Sequence, residues 1–337
     1  MHIDLSREMH RPVGLSVVVP CFNEAAVLDA LAARLIPVCD QAFPGDYEVV
    51  LVNDGSSDST WAEICALAER SPHIVGVDLA RNHGHQLALT AGLQVCRGEL
   101  IFIIDADLQD PPELLPRMVE TIREGHDVVY GQRSFRRGET LFKRSTAAAF
   151  YRLLDRLIDI PIPRDTGDFR LMTRRVADQL DAMPERFRFI RGMVSWVGFS
   201  QTAIAYEREP RHAGKSHYPL RRMLALAIDA VTSFSTLPLR LASFLGLAFG
   251  AAGLVMLAWV LAAFLNSGTV SGWTSTIAVV LILGSTQLLI LGVFGEYLGR
   301  MYMETKRRPL FIIREIRSSP AAVAQRVFAA EECRADG

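Results

Sequence analysis

The chain is 337 residues long, 50% of them hydrophobic and 22% charged, with 36 Lys and Arg against 37 Asp and Glu. That apolar content excludes global disorder, and a net charge of -1 leaves no broad basic surface for nucleic acid. Cys21, Cys39, Cys65, Cys96 and Cys333 are scattered and odd in number, which suits neither a disulfide scaffold nor a zinc site.

In chain order, LSVVVP (Leu15 to Pro20) predicts a buried strand, followed by a helix in AAVLDALAARLIPV. YEVVLVND (Tyr47 to Asp54) is a second strand. DGSSDST then supplies turn and cap residues before a helix carrying Trp61, Ile64, Cys65 and Leu67. IVGVDLA (Ile74 to Ala80) is a third strand, with a helix over His85 to Val95. ELIFIIDAD (Glu99 to Asp107) is a fourth, PELLPRMVETIRE a helix with Pro112 near its start, and DVVYGQR (Asp127 to Arg133) a fifth strand. Near-continuous Val/Ile/Leu strands alternating with helices predict a doubly wound α/β domain of parallel strands, with its chemistry at the strands' carboxyl ends.

The C-terminal half changes character. Leu241 to Leu265 and Asn266 to Gly295 carry no charge, and the first run alone would reach about 37 Å as a helix, enough for a tilted membrane span. Both runs are apolar on every face rather than striped, which argues against a buried helical pair in a soluble domain. Arg221, Arg222 and Arg240 precede them and Arg300, Lys306, Arg307 and Arg308 follow, while the turn between is uncharged. The positive-inside bias therefore predicts a hairpin with both chain termini in the cytoplasm. LSVVVP is too short and too polar in its surroundings for a signal peptide. MLALAIDAVTSF (Met223 to Phe234), beside Arg221 and Arg222, reads as an interfacial helix or simply a linker.

No GxGxxG follows the first strand and GxxxxGK[ST] is absent, which disfavours dinucleotide redox chemistry and P-loop hydrolysis. The strand ends are acidic instead: VVPCFNE, VNDGSSD and DADLQDPPE. Asp105 and Asp107, one residue apart where a strand frays, offer hard oxygen ligands for Mg2+ or Mn2+ beside a diphosphate leaving group. His83 and His85 form no zinc spacing and read as loop-shaping or donor-adjacent.

Together, VVVPCFNE, VNDGSSDST, ARNHGHQLALTAGL, DADLQDPPE, YGQR, DTGDFRLM, RFRFIRGM and RHAGKSHYPLRRM resemble the successive motifs of the polyprenyl-phosphate glycosyltransferases. These form the membrane-anchored branch of the GT-A-fold family 2 enzymes, which also includes dolichol-phosphate mannose synthases. The resemblance runs from about Leu15 to Arg300, including the helix hairpin. It implies a GT-A (Rossmann-like) catalytic domain over 13–215 after an extension at 1–12, and an interfacial helix at 216–238. Membrane helices follow at 239–265 and 275–299 around a turn at 266–274, and then a basic cytoplasmic tail at 300–337. The implied location is a bacterial inner membrane.

The implied activity is inverting transfer of one sugar from a nucleotide-sugar to a polyprenyl phosphate such as undecaprenyl phosphate. RFRFIRGM and RHAGKSHYPLRRM are most similar to the bacterial glucosyl-transfer branch, which favours UDP-glucose; GDP-mannose and other UDP-sugars stay open. By the same resemblance Pro20, Asn23 and Glu24 border the nucleotide, Asp54 contacts the base, Asp105 lies on the donor side, Asp107 holds the metal, and Gln109 shapes that loop. Asp168 is implied as base or acceptor-orienting acid; because a phosphate nucleophile is already ionised, alignment matters more than deprotonation. Arg133, Arg188 and Arg191 are candidates for the acceptor phosphate, and Lys215 for the donor diphosphate or the acceptor. A homo-oligomer, tetrameric within the family, is a further implication. A processive polysaccharide synthase would need a Gln-x-x-Arg-Trp segment that is absent, and a non-catalytic scaffold would not need these acids.

Overall fold

A computed structural model describes residues 12–133, 163, 166–207, 237–265 and 273–319. The described residues up to Glu207, with Pro309–Ser319, form one compact unit; the two long C-terminal helices form another.

The first unit is built on an eight-stranded sheet. Its elements are β1 (Val13–Cys21), α1 (Leu28–Ala42), β2 (Tyr47–Asn53), α2 (Thr60–Arg70), β3 (Ile74–Leu79), α3 (His85–Val95), β4 (Gly98–Ile103), α4 (Leu115–Arg123) and β5 (Val128–Arg133). They continue with β6 (Thr166–Thr173), α5 (Arg174–Ala182), α6 (Ile190–Val197), β7 (Gln201–Tyr206) and, after the two long helices, β8 (Ile313–Ser318). A single 3-10 turn, Pro112–Leu114, leads into α4.

The strand order is β7-β5-β6-β4-β1-β2-β3-β8. β4, β1, β2 and β3 run parallel, as the hydrophobic runs predict. The sheet as a whole is mixed, which corrects the all-parallel expectation. β6 lies antiparallel between β4 and β5, and β8 closes the outer edge of β3 in antiparallel register. DVVYGQR is a strand, but it reaches the sheet through β6 and pairs in parallel only with β7.

Strand alternation sorts the core. Leu15, Val17, Val19 and Cys21 of β1 share an apolar cluster with Leu28, Leu31 and Leu35 of α1, Ile64 of α2 and Met118 of α4. Phe169 of β6 enters the same cluster, edge-on to Phe102 at 5.3 Å. Burying one such ring contributes about 1.5–3 kcal/mol. The alternate residues Asp168 and Arg170 must then face the other side, where α3 covers β1 and β2.

On that second side α3 sits close because Gly92 has no side chain. A Cβ there would lie 2.3 Å from Val18 Cγ1 and 3.2 Å from Val52 Cγ2.

The second unit consists of α7 (Leu237–Leu265) and α8 (Trp273–Thr305), which touch one another. Within α8, Ile282–Thr305 is long and apolar enough to cross a membrane; the apolar stretch of α7, Leu241–Met256, is shorter. Leu247, Leu254, Leu288 and Leu298 are exposed, and an apolar solvent is the environment that suits such a surface. The expected interfacial helix lies outside the described residues except for 237–238, which belong to α7; of the expected turn at 266–274, residues 266–272 lie outside them and Trp273 and Thr274 begin α8.

The α3 packing yields a stability prediction. Gly92→Val should destabilise the full-length protein in detergent by at least about 2 kcal/mol, because the added carbons meet a filled core. A denaturant or thermal melt reads it, and a variant as stable as the parent would contradict the close packing.

Candidate active site

The parallel strands deliver their carboxyl ends to one edge of the sheet, and the acidic motifs sit there. Asn23, in the loop after β1, adopts a left-handed backbone with φ 57°. Asn23 N–H donates to Ser56 Oγ at 3.0 Å, and Asn23 Oδ1 accepts from Ser57 N–H at 2.8 Å, so the first two loops are stitched together. Glu24 N–H donates to Thr60 Oγ1 at 2.9 Å, while Pro20 is buried within β1.

Asp54 is 2% exposed and is used by the protein itself. Its Oδ1 accepts from His83 N–H at 2.7 Å and its Oδ2 from Gly84 N–H at 2.9 Å. Burial raises its pKa, against the pull of those two amides. These bonds give Asp54 a bracing role: the carboxylate fixes the loop between β3 and α3. Gly55 permits this approach. It has φ +62°, and a Cβ on it would lie 2.4 Å from the Arg81 and Asn82 backbone.

The loop after β4 carries Asp105 and Asp107. Leu108 follows with φ 57°, a conformation costing a bulky residue roughly 1–2 kcal/mol. Gln109 is buried and its N–H donates to Asp107 Oδ1 at 3.2 Å, which tightens the loop. Asp105 Oδ1 is buried without a hydrogen-bond partner. Burial first, and then the charges of Asp168, Asp110 and Asp107, push Asp105 up to about 6 against the attraction of His85.

An orphaned carboxylate oxygen in a crowd of negative charge fits a divalent cation. Among the described residues no three His, Cys, Asp or Glu side chains form a ligand cluster. Mg2+ commonly takes only one or two protein carboxylates and completes its shell with phosphate and water.

Asp168, on β6, is 5% exposed; its Oδ2 is hydrogen-bonded, while its Oδ1 makes no hydrogen bond and faces two guanidinium groups. His85 Nε2 lies 3.0 Å from Oδ2, and Gln86 Nε2 donates to the same oxygen at 2.9 Å. Arg191 Nε lies 3.2 Å from Oδ1, and Arg170 Nη2 is 3.9 Å away. Burial alone would raise this carboxyl's pKa; the His85 hydrogen bond, Arg191 and Arg170 outweigh it and hold it well below the usual range. His85 responds in kind. Burial opposes its charged form, but the Asp168 bond and the charges of Asp105, 3.7 Å away, and Asp168 raise its pKa.

The three predicted arginines part company. Arg191, at the start of α6, joins Asp168 and donates to Thr166 O at 2.9 Å. Arg133 reaches Tyr206 Oη at 3.4 Å and lies 3.9 Å from the fully buried Asp110, which accepts from Tyr206 Oη. Arg188 lies elsewhere. It is buried and donates to Met183 O at 3.0 Å and to Leu180 O, so it closes the end of α5 rather than facing the acids. Lys215 lies outside the described residues.

His85, read from the sequence as loop-shaping or donor-adjacent, reaches Asp168, and Gln86, Asp110, Arg170 and Tyr206 join the cluster without having been singled out by motif spacing. The helical start at His85 in NHGHQ was the available signal for the first two, since α3 begins at a strand's carboxyl end.

An acid-lined strand edge on a mixed α/β sheet, with cations facing the acids, is suited to a phosphorylated ligand at the strands' carboxyl ends. Residues 16–181 match Glycosyl transferase family 2. The chain is 48% identical over 311 residues to "Uncharacterized glycosyltransferase YkcC" of Bacillus subtilis, covering 91% of this chain and 95% of that one. It is 41% identical to "Uncharacterized glycosyltransferase sll0501" of Synechocystis, covering 90% and 96%. It is 38% identical to the "Bactoprenol glucosyl transferase" of Shigella phage SfX, covering 89% and 98%. The chain belongs to glycosyl transferase family 2, and it is a glycosyltransferase.

The split between the arginines is testable. Arg188→Gln should cost about 1–3 kcal/mol of stability through lost carbonyl bonds, with transfer per folded molecule within about threefold of the parent. Arg191→Gln should instead abolish most transfer with a smaller stability change. Melting curves paired with transfer rates distinguish them, and a catalytic collapse in stable Arg188→Gln would return that residue to the site.

Proposed function

We propose that this glycosyltransferase moves a single glucose from UDP-glucose to the phosphate of a polyprenyl lipid such as undecaprenyl phosphate. The observation that carries the reading is the Asp105–His85–Asp168–Arg191 cluster, in which an under-compensated acid faces an acid already neutralised by cations. The bactoprenol glucosyl transferases, similar along nearly their whole length, support the choice of sugar and acceptor.

In this mechanism an ionised phosphate oxygen of the lipid attacks the anomeric carbon, the bond to the nucleoside diphosphate breaks, and the configuration inverts. Asn23, Glu24, Pro20 and Gln109 frame the nucleotide-sugar, with Asp54 fixing the adjoining loop. Asp105 and Asp107 would hold Mg2+ or Mn2+, which when bound offsets the charge of the departing diphosphate. Arg191 and Arg133 receive the acceptor phosphate, and Lys215 is a further candidate for either phosphate group. Asp168 acts as an anchor that aims Arg191 and His85 rather than as a base, because His85 and Gln86 hold its Oδ2, Arg191 and Arg170 stand beside its Oδ1, and its charged form is favoured.

The lipid acceptor gives the apolar helices their purpose. We place α7 and α8 as a membrane hairpin with the catalytic unit and both termini in the cytoplasm, and the segment at 216–238 at the interface. A homo-oligomer is part of the same reading.

Purified protein, undecaprenyl phosphate, Mg2+ and a panel of radiolabelled sugar nucleotides test the activity: one lipid-linked glucose is expected, and preference for GDP-mannose would overturn the donor. Chelation with EDTA should stop transfer, and Asp107→Asn should cut it at least about 100-fold. Asp168→Asn should reduce transfer by a similar factor, about 100-fold, while donor affinity stays within about fivefold and higher pH fails to rescue the rate. Recovery at high pH would instead make Asp168 a proton acceptor.

A further inference from the structure

The C-terminal strand β8 does more than close a sheet edge. Its register against β3 pairs Asp78 with Glu315 and Leu79 with Ile313, so Arg314 is an extra residue in a bulge. Bulges re-aim side chains, and this one brings the largely exposed Arg314 side chain to the end of β3. Arg314 Nη1 donates to Asp78 Oδ2 at 3.0 Å and Nη2 to Ala80 O at 2.7 Å.

Asp78 is 1% exposed, and its other oxygen accepts from Asn53 Nδ2 at 2.7 Å. Asn53 Oδ1 accepts from Ser56 N–H at 3.2 Å, and Ser56 Oγ accepts from Asn23 N–H at 3.0 Å. An unbroken line of bonds thus runs from the tail across the ends of β3, β2 and β1. A second arm holds Ala80, directly before the loop that Asp54 braces and that leads to His85. Ala80 N–H also donates to Ile312 O at 2.9 Å, so β8 grips both sides of that residue.

We propose that Arg314 is a positioning residue for the nucleotide half of the donor. Through Asp78 and Asn53 it fixes the Ser56–Asn23 stitch, and through Ala80 it fixes the start of the β3–α3 loop. The inference rests on the proposed donor site only in taking Asn23 and its loop as neighbours of the nucleotide. Without Arg314, the buried Asp78 carboxylate loses its one cation in this line and would draw Asn53 away from Ser56. The guanidinium is 60% exposed, so solvent limits the effect to a modest one.

The test uses the full-length enzyme in detergent, with UDP titrated by calorimetry and UDP-glucose kinetics measured in parallel. Arg314→Gln should raise the UDP Kd and the UDP-glucose KM about fivefold, while kcat stays within about twofold. Arg314→Lys, which keeps the charge but not the fork, should fall between the two. Arg317→Gln removes a cation from the same strand without touching Asp78 and should leave all values unchanged. If Arg314→Gln is too unstable to assay, Asp78→Asn, which still offers Asn53 an acceptor, carries the same expectation. A UDP Kd within about twofold of the parent, a defect confined to kcat, or an equal defect in Arg317→Gln would overturn the proposal. Because the UDP Kd requires no transfer, an enzyme that fails to glucosylate polyprenyl phosphate would sink the functional reading and leave this test intact.

Discussion

Crowded negative charge is the constraint around which the catalytic unit is organised. Asp105, Asp107, Asp110 and Asp168 gather at one edge of the sheet, and each must be compensated or leave the fold strained. Two are settled internally. Asp168 has His85, Gln86, Arg191 and Arg170 about it, and Asp110 has Tyr206 and Arg133. Asp105 has His85 at 3.7 Å set against the charges of Asp168, Asp110 and Asp107, and is pushed up to about 6. The uneven division leaves residual negative charge on the loop where a cation and a diphosphate would be drawn, and positive charge around Asp168 where a second phosphate would be drawn.

Backbone geometry serves the same division. Asn23 and Leu108, both left-handed, sit in loops after β1 and β4, the neighbouring strands whose ends face the site. Asn tolerates the conformation through its short polar side chain. Leu108 does not, and it is held there by burial among apolar neighbours while Gln109 closes onto Asp107. Strain of this kind persists only where the surroundings over-determine it.

Much of this was legible in the sequence. Buried parallel strands announce themselves as Val/Ile/Leu runs, so β1 to β4 and the helices between them could be read directly, as could the acids that follow them. β6 was not, because TGDFRLMT alternates between a core face and a polar face and its Asp168 and Arg170 look like loop residues until their partners are known. β8 was hidden in a basic tail for a different reason: IREIRS has little to bury. The arginines of RFRFIRGM are equivalent as text. They separate because α6 begins at Ile190, leaving Arg191 on the helix and Arg188 on the approach to it, within reach of the carbonyls that end α5. His85 and Gln86 meet Asp168 across more than eighty residues, a contact that only the sheet order can create.

A transfer between a water-soluble donor and a lipid phosphate places opposite demands on one protein. The donor side needs loops that are stitched to one another, since a nucleotide is recognised by bonds at fixed distances; here Asn23, Ser56, Asp54 and the amides of His83 and Gly84 supply that stitching. The acceptor side needs charge more than shape, because a long isoprenoid offers one phosphate and otherwise only hydrocarbon. In the proposed reaction Arg191 and Arg133 would meet that demand, each beside an anion that is at most 5% exposed and cannot follow the substrate away. Holding the cations by buried acids also explains why an acid near the acceptor need not accept a proton. Its work is done before the substrate arrives, by fixing where positive charge can stand.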